Sequence, residues 1–531
     1  MYKLIQFKNI KSKFVTHLIC LSLIFSLFNN ITFADTIDDF LRIKMRENNI
    51  PGLQVAVVKN KKIVKLASYG LSNLQDEVKV DDTTLFNLAS ITKAFTSVAV
   101  MQLVEQGKLD LSAHISSYLS GLPKSWQKVN LQQLLSHTSG LPDIMNEHFQ
   151  LIDSSGEEKS WLAVKQKVLY FEPGTAFRYN QTNYLLVGKI IEHVSGKSYA
   201  ELISQYQLNT KNLSLTNSAG FAHFQSVNLH QARNYRLNKQ QKMTNVLTYF
   251  PSIIRAGAGM SANALELAYW TIQLQSGVYF EKNNSLDILW KASTLSSDTW
   301  AKENPSMHPY ALGWYVVERQ KGLKIVTAGG GQSAIAVYPN DDLSVVILTN
   351  LAGAKPENLM DEVAEFYIED FGLSDNVKAF KQELEQQGYN SALSIAQKIQ
   401  QEQKFKFAAN ELNHFGNLLV KHLNKKNANQ IFSVNNHLYS NVILKSHILN
   451  SYEGTYELAD FSIHVTREAD ALFITATEEE RLPIFSKTDT EFFLKAVDAT
   501  ISFIKDETGI VSGLLLGING ENLSGKKIKE V

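Results

Sequence analysis

The sequence predicts an α+β fold: one sheet with helices packed on it, then a helical segment and a small C-terminal antiparallel β domain. Three observations predict it. β-Rich runs stand near both ends of residues 35–372 with helical patches between them; composition shifts to Gln, Lys and Glu over 376–440; and apolar and polar residues alternate through most of 445–531. A chain of 531 residues exceeds what one hydrophobic core usually organises, so division into domains is expected.

Residues 1–34 read as a secretory signal peptide. Lys3, Lys8, Lys11 and Lys13 precede a largely apolar run from Phe14 to Phe28, and "NNITFAD" places Thr32 and Ala34 at the small-residue positions of a cleavage site after Ala34. The apolar run falls short of the roughly 20 residues that span a bilayer, so no stable membrane span is expected after cleavage. Cys20 is the only cysteine and leaves with the leader, which excludes a disulfide, a thiol nucleophile or a cysteine metal site in the mature chain. A periplasmic or secreted location follows. Basic and acidic residues balance at 52 each without long runs of one sign, so nucleic acid is not an expected partner and the substrate is expected to be a small molecule or peptide-like.

Within 35–372, "LQVAVVKNKKIVKLASYG" gives two strands, Leu53 to Val58 and Ile63 to Tyr69, split by a Lys/Asn turn. Apolar residues at Ile91, Phe95, Val98, Met101 and Val104 predict an amphipathic helix ending near Gly107. Helical patches broken by "SHTSGLPD" and "FEPGTAF" run to about Leu274, and strands return in "YALGWYVVE", "QSAIAVYP" and "LSVVILTN". One sheet built from both ends of this segment, with helices packed on it, satisfies the pattern. Residues 376–440 predict helices with one apolar face, either a repeat pair or a linker. "FSIHVT", "ALFITATE", "EFFLKA" and "ATISFIKDETGIVSGLLLG" predict a closed or sandwich-like β domain.

Four Ser-x-x-Lys pairs occur: Ser90/Lys93, Ser125/Lys128, Ser502/Lys505 and Ser524/Lys527. On a helix, residues three apart share a face. A serine hydroxyl needs a base to become a nucleophile, and a lysine serves only when neutral. Bringing a lysine from about 10.4 to near 7 costs about 4.6 kcal/mol, which burial supplies. A helix N-terminus helps, since its positive end disfavours an ammonium and its free amides can hold an oxyanion. Ser125 follows a proline turn, Ser502 lies in an alternating strand and Ser524 in a charged tail; only Ser90/Lys93 opens an apolar helix. Spacing and position leave two readings of that pair, a catalytic dyad or a helix-start serine beside a solvated lysine.

The stretches "GLQVAVVKNKKIV", "FNLASITKAFTSVAVMQLVEQGKLDL", "VNLQQLLSHTSGLPD", "FEPGTAFRYNQTNYLLVGKIIEHVSGKSY", "ALGWYV" and "LSVVILTN" together resemble, in order, the β-lactamase-related serine hydrolases, a family of class C β-lactamases, DD-peptidases, D-aminopeptidases and esterases. The resemblance covers most of 45–370, and Ser-x-x-Lys is a signature of related enzymes. It implies a β-lactamase/transpeptidase-like fold, an antiparallel sheet flanked by helices plus an all-helical subdomain, with Ser90 as acylated nucleophile, Lys93 as its proton partner and Tyr179 as a proton shuttle, and no cofactor. The family's Tyr-x-Asn motif falls on Tyr179-Asn180-Gln181, and the resemblance implies substrate binding at Gln181, Thr327, Ala328, Gly329 and Gly330; Gln181 stands in place of asparagine, one methylene longer, which is expected to displace its hydrogen bond to substrate. Tyr439-Ser440-Asn441 matches that motif but lies outside the resemblance. Where the family has Lys or His, a small residue and Gly, this chain has "TAGGG": Thr327 or Ala328 replaces the basic residue, Gly329 remains, and an amide near Gly329, Gly330 and Gly331 is expected to complete an oxyanion hole with that of Ser90. Loss of the cation weakens recognition of a substrate carboxylate and favours ester or neutral amide cleavage, with Arg255 in "IIRAGAGMS" as a candidate replacement charge. His137 is expected to be structural, holding a turn beneath the site. No HExxH or comparable cluster suggests a metal. The contrasting expectation is a binding protein that keeps the fold and has lost turnover.

Overall fold

The computed structural model describes residues 33–219, 221, 227–247, 250–295, 309–319, 322–402, 404, 406–459, 461–476, 481–494, 499–518 and 521–528. Most of the expected signal peptide, including Cys20, lies outside the described residues. The chain forms two compact units, one spanning Lys44–Ile368 and the other taking residues up to Ile43 together with Glu369–Val531.

The first unit is organised by a seven-stranded antiparallel sheet. Its strands are β1 (Gly52–Lys59), β2 (Lys62–Asn73), β3 (Val78–Lys79), β4 (Tyr315–Glu318), β5 (Leu323–Gly329), β6 (Ser333–Tyr338) and β7 (Leu343–Thr349), in spatial order β3-β2-β1-β7-β6-β5-β4. The turn between β1 and β2 is Asn60-Lys61, both with positive φ (50° and 59°), the twist that suits a tight hairpin. β1 pairs with β7, Leu53 opposite Thr349 and Val57 opposite Val345, so the two ends of the unit meet at the sheet centre. Those strands are buried along almost their whole length, which explains their continuous apolar runs.

Helix α1 (Thr92–Glu105) is the central helix of the unit. It was expected to be amphipathic; instead Thr92 to Met101 are all buried, as is Leu103. The face opposite Phe95 and Val98 carries small residues whose polar atoms are satisfied internally: Thr96 Oγ1 donates to Ala256 O at 2.6 Å and Ser97 Oγ to Lys93 O at 2.9 Å. Polar residues can therefore line a core without a solvent face. Phe95 stacks on Trp270 with centroids 4.1 Å apart. Helix α2 (Leu131–Leu135) starts in a capping box of Asn130 with Gln133. Helix α3 (Gln181–Ser195) is capped by Asn180, whose side chain accepts from Asn183 N, and ends at Gly196 in the left-handed conformation. Helix α4 (Ala264–Gln275) packs against β1 and β7.

In the second unit, helices α5 (Asp375–Gln387), α6 (Ala392–Gln401), α7 (Ala409–Lys421), α8 (Lys425–Tyr439) and α9 (Ser446–Tyr452) precede a closed antiparallel barrel. Its strands are β8 (Gly454–Glu457), β9 (Ser462–Glu468), β10 (Ala471–Ala476), β11 (Leu482–Ser486), β12 (Glu491–Leu494), β13 (Ala499–Lys505), β14 (Val511–Ile518) and β15 (Glu521–Lys527), and pairing of Tyr456 with Lys527 closes it. Closure removes the sheet edges. Tyr452 at the end of α9 is fully buried, stacks on Phe503 at 4.1 Å and meets Phe492 edge-on. Phe432 of α8 meets Phe473 of β10, so helices and barrel share packed surface.

Candidate active site

The segment before α1 is forced into an unusual path. Ala89 takes φ 44°, a left-handed conformation costing an L-residue roughly 1–2 kcal/mol, and opens a short 3-10 turn, Ala89–Ile91, that presents Ser90 half-buried at the head of the helix. Surrounding bonds hold this conformation: Leu88 N donates to Met260 O at 2.9 Å, and Thr92 Oγ1 donates to Ala89 O at 2.7 Å. Gly329 at the end of β5 presses against the same turn. A Cβ there would stand 1.9 Å from Leu88 O and 2.9 Å from Ser90 N, so only glycine permits this approach.

Lys93 Nζ lies 3.3 Å from Ser90 Oγ, and the residue is only 1% exposed. Nζ donates to Gln181 Oε1 at 3.0 Å and to Gly257 O at 2.9 Å. A neutral amine has two N–H bonds and one lone pair, so two carbonyl acceptors leave the lone pair for the Ser90 hydroxyl. Burial pushes Lys93 down to about 7, with the Asp143 carboxylate opposing.

Tyr179, just ahead of α3, has its ring 4.7 Å from Lys93 Nζ and 4.1 Å, centroid to centroid, from the His137 ring. Burial, with Tyr315 nearby, raises its phenol well above the usual value against the pull of a hydrogen bond with Ser90. Gln181 is buried at the first position of α3, its amide donating to Asp143 Oδ1 at 3.1 Å. Its side-chain carbonyl accepts from Lys93 Nζ.

His137 has φ 59° and is fully buried; Nδ1 accepts from Asn180 N at 3.3 Å and faces Asn183 Nδ2 at 3.0 Å. Burial, helped by Lys93, drives its pKa well below the ordinary histidine value. It is a neutral ring that ties the Ser136–Gly140 turn to the head of α3. Asp143 was not singled out from sequence, although it closes "SHTSGLPD".

Thr327 and Gly329 alternate to the same side of β5, facing the Ser90 turn, while Ala328 points to the other face. Thr327, 2% exposed, is therefore the position where a basic residue would stand. Gly330 follows with φ 61° and is exposed. Arg255 lines a separate groove of about 500 Å³ with Trp161, Lys189 and Glu192, a groove that none of Ser90, Lys93 or Tyr179 lines.

Ser125 and Lys128 are exposed, and Ser502/Lys505 and Ser524/Lys527 lie on β13 and β15, where residues three apart point to opposite faces. Ser524 is thus in a barrel strand, not a charged tail. Tyr439 ends α8 in the other unit. Among the described residues, no group of His, Cys, Asp or Glu could hold a metal ion, and no helix is long and apolar enough to cross a membrane.

A buried lysine, pushed down to about 7, with its Nζ 3.3 Å from a serine hydroxyl at a helix head, is an arrangement that suits acyl transfer. Residues 440–527 match a domain of unknown function, DUF3471. The chain is 28% identical to Protein flp of Staphylococcus aureus over 323 residues, covering 59% of this chain and 62% of that protein, somewhat under two thirds of its length. It is 25% identical to Penicillin-binding protein 4* of Bacillus subtilis over 477 residues, 84% of this chain and 89% of that one. The octameric penicillin-binding protein homologue from Pyrococcus abyssi shares the fold, with a TM-score of 0.53 at 20% identity, covering 92% of this chain and 98% of that one. The Beta-lactamase family profile matches residues 34–368, more than half of the chain, and the protein accordingly belongs to the β-lactamase family of serine hydrolases and penicillin-binding proteins.

Proposed function

We propose that the protein is a serine hydrolase that acylates Ser90 and then hydrolyses the acyl-enzyme, cleaving an ester or neutral amide bond of a small-molecule or peptide-like substrate. One observation carries this reading: Lys93 is buried, pushed down to about 7, and its Nζ faces two carbonyl oxygens, of Gln181 and Gly257, with Ser90 Oγ 3.3 Å away. Ser90 Oγ attacks the acyl carbon as its proton passes to Lys93 Nζ. The oxyanion collects on the Ser90 amide and a second amide of the Gly329–Gly331 turn. Tyr179, a neutral phenol, relays the proton from Lys93 to the leaving group, and water repeats the sequence in deacylation. Buried Thr327 offers no cation to a substrate carboxylate, which supports the preference for esters and neutral amides. The reading places the enzyme outside the cytoplasm, by the leader at residues 1–34.

The mature protein is incubated with a fluorophosphonate and with labelled penicillin, and adducts are located by mass spectrometry. A fluorophosphonate adduct on Ser90 that Ser90→Ala abolishes is expected, with slower labelling by penicillin. Absence of any adduct on Ser90 overturns the reading in favour of a binding protein. N-terminal sequencing of the exported protein tests cleavage after Ala34.

A further inference from the structure

Asp143 is bound to the catalytic apparatus by hydrogen bonds that its position in a turn does not require. Its Oδ1 alone accepts both from Met145 N at 3.0 Å and from Gln181 N at 3.1 Å. The first bond is local; the second reaches across 38 residues to the leading amide of α3, a free donor that favours an anion. The residue it grips, Gln181, is the one whose side-chain carbonyl accepts from Lys93 Nζ. A continuous path therefore runs from the Asp143 carboxylate through Gln181 to Lys93 and Ser90 Oγ.

We propose that Asp143 is a positioning residue of the acylation step: it fixes Gln181 against Lys93 and supplies the negative charge that balances the ammonium formed when Lys93 takes the Ser90 proton. In that step the Ser90 O–H bond breaks and an Nζ–H bond forms as Oγ bonds to the acyl carbon. The new ammonium keeps its bonds to Gln181 Oε1 and Gly257 O. Neither carbonyl carries a full charge, and the opposing carboxylate is Asp143. The other groups facing the pair are His137, Tyr179, Tyr184 and Arg178. His137 is driven down and both tyrosines are driven up by burial, so these three stay neutral at intermediate pH. Asp143 is thus the carboxylate that faces the ammonium formed on Lys93. Burial pushes the Asp143 carboxyl up, and the Met145 and Gln181 amides, Lys93 and Arg178 pull it back.

The proposal rests on the acylation of Ser90 argued above, and the test separates the two. Asp143→Asn retains Oδ1 for both backbone amides and removes only the charge; Asp143→Ala removes both. Rates of Ser90 labelling by a fluorophosphonate and of turnover of a p-nitrophenyl ester are measured against pH for the parent and both variants, with melting curves as the check on folding. In the parent the rate rises as Lys93 loses its proton. In Asp143→Asn the acid limb should move to lower pH by about one unit, since an opposite charge that favoured the ammonium is gone. Asp143→Ala should also lose rate at the high-pH plateau, because Gln181 is released. An acid limb that stays in place in a folded Asp143→Asn overturns the proposal, and this variant decides the matter even if Asp143→Ala does not fold. Failure of the parent to label at Ser90 at any pH overturns the hydrolase reading instead.

Discussion

The side-chain carbonyl of Gln181 accepts from Lys93 Nζ at 3.0 Å, so the residue that departs from the family's Tyr-x-Asn pattern is bonded directly to the lysine of the Ser-x-x-Lys pair. Removing that acceptor leaves a buried amine with one carbonyl partner instead of two. Gln181→Ala should lower the rate of Ser90 acylation by roughly 10–100-fold, the worth of a hydrogen bond to a developing charge. Gln181→Asn, one methylene shorter, should fall between alanine and the parent in kcat/KM on a p-nitrophenyl ester. An alanine variant as fast as the parent would mean that Gly257 O alone orients the amine.

Lys93 has its proton affinity lowered on folding, and the sign of the linkage is clear. Between about 7 and 10.5 the unfolded chain holds a proton that the folded chain has released, so this group makes stability rise with pH across that window and is most destabilising at and below about 7. The cost there is roughly 4–5 kcal/mol. Lys93→Met fills similar space without charge. It should abolish turnover yet raise the unfolding midpoint at pH 6–7, with the gain shrinking toward pH 10. Denaturant melts of both proteins across pH check this.

Burial raises the Tyr179 phenol well above its ordinary value, which suits a proton donor. Tyr179→Phe should leave the fold and the acid limb of the pH profile in place while lowering kcat by about 10²–10⁴, the usual worth of a positioned proton donor. Esters with good leaving groups should suffer least, because they need no proton on departure.

Gly329→Ala would drive a methyl into Leu88 O and toward Ser90 N. β5 or the Ser90 turn must retreat, and overpacking of this kind costs about 1–3 kcal/mol. Misplacement of the nucleophile and its amide is expected to cut fluorophosphonate labelling about 100-fold, with a smaller fractional loss of stability. The ratio of the two losses is the measurement.

Thr327→Lys returns a cation to the strand beside Ser90. Its stem can follow the strand surface while the ammonium reaches the site. Labelling by penicillin, whose carboxylate then gains a charged partner, should rise about tenfold relative to labelling by the neutral fluorophosphonate. An unchanged ratio would separate carboxylate recognition from this position.

The parts of this architecture legible in the amino-acid order are those that repeat with a period. The runs Leu53–Val58 and Ile63–Tyr69 and the recurrence from Ile91 to Val104 mark two strands and a helix because neighbours in sequence determine them. Ser90 and Lys93 are readable as a pair because three residues of helix join them. What escaped is carried by backbone groups and by long-range burial. Gly257 O orients Lys93, yet a carbonyl has no signature in a sequence. The positive φ of Ala89 contradicts its own preference and exists only because Gly329 and Met260 hold the turn. The satisfied hydroxyls of Thr96 and Ser97 erased the polar face that periodicity led one to expect on α1. Asp143 looked like an ordinary turn aspartate because its partner is 38 residues away.

The burial of α1 on every side has a practical chemical result. A lysine that is neutral near pH 7 is ordinarily the most reactive amine in a protein, the first to be carbamylated, glycated or captured by an activated ester. At 1% exposure Lys93 is out of reach of such reagents, while the solvated lysines are not. Exhaustive amine modification of the folded enzyme should therefore leave this residue untouched, and its appearance among modified peptides would report unfolding.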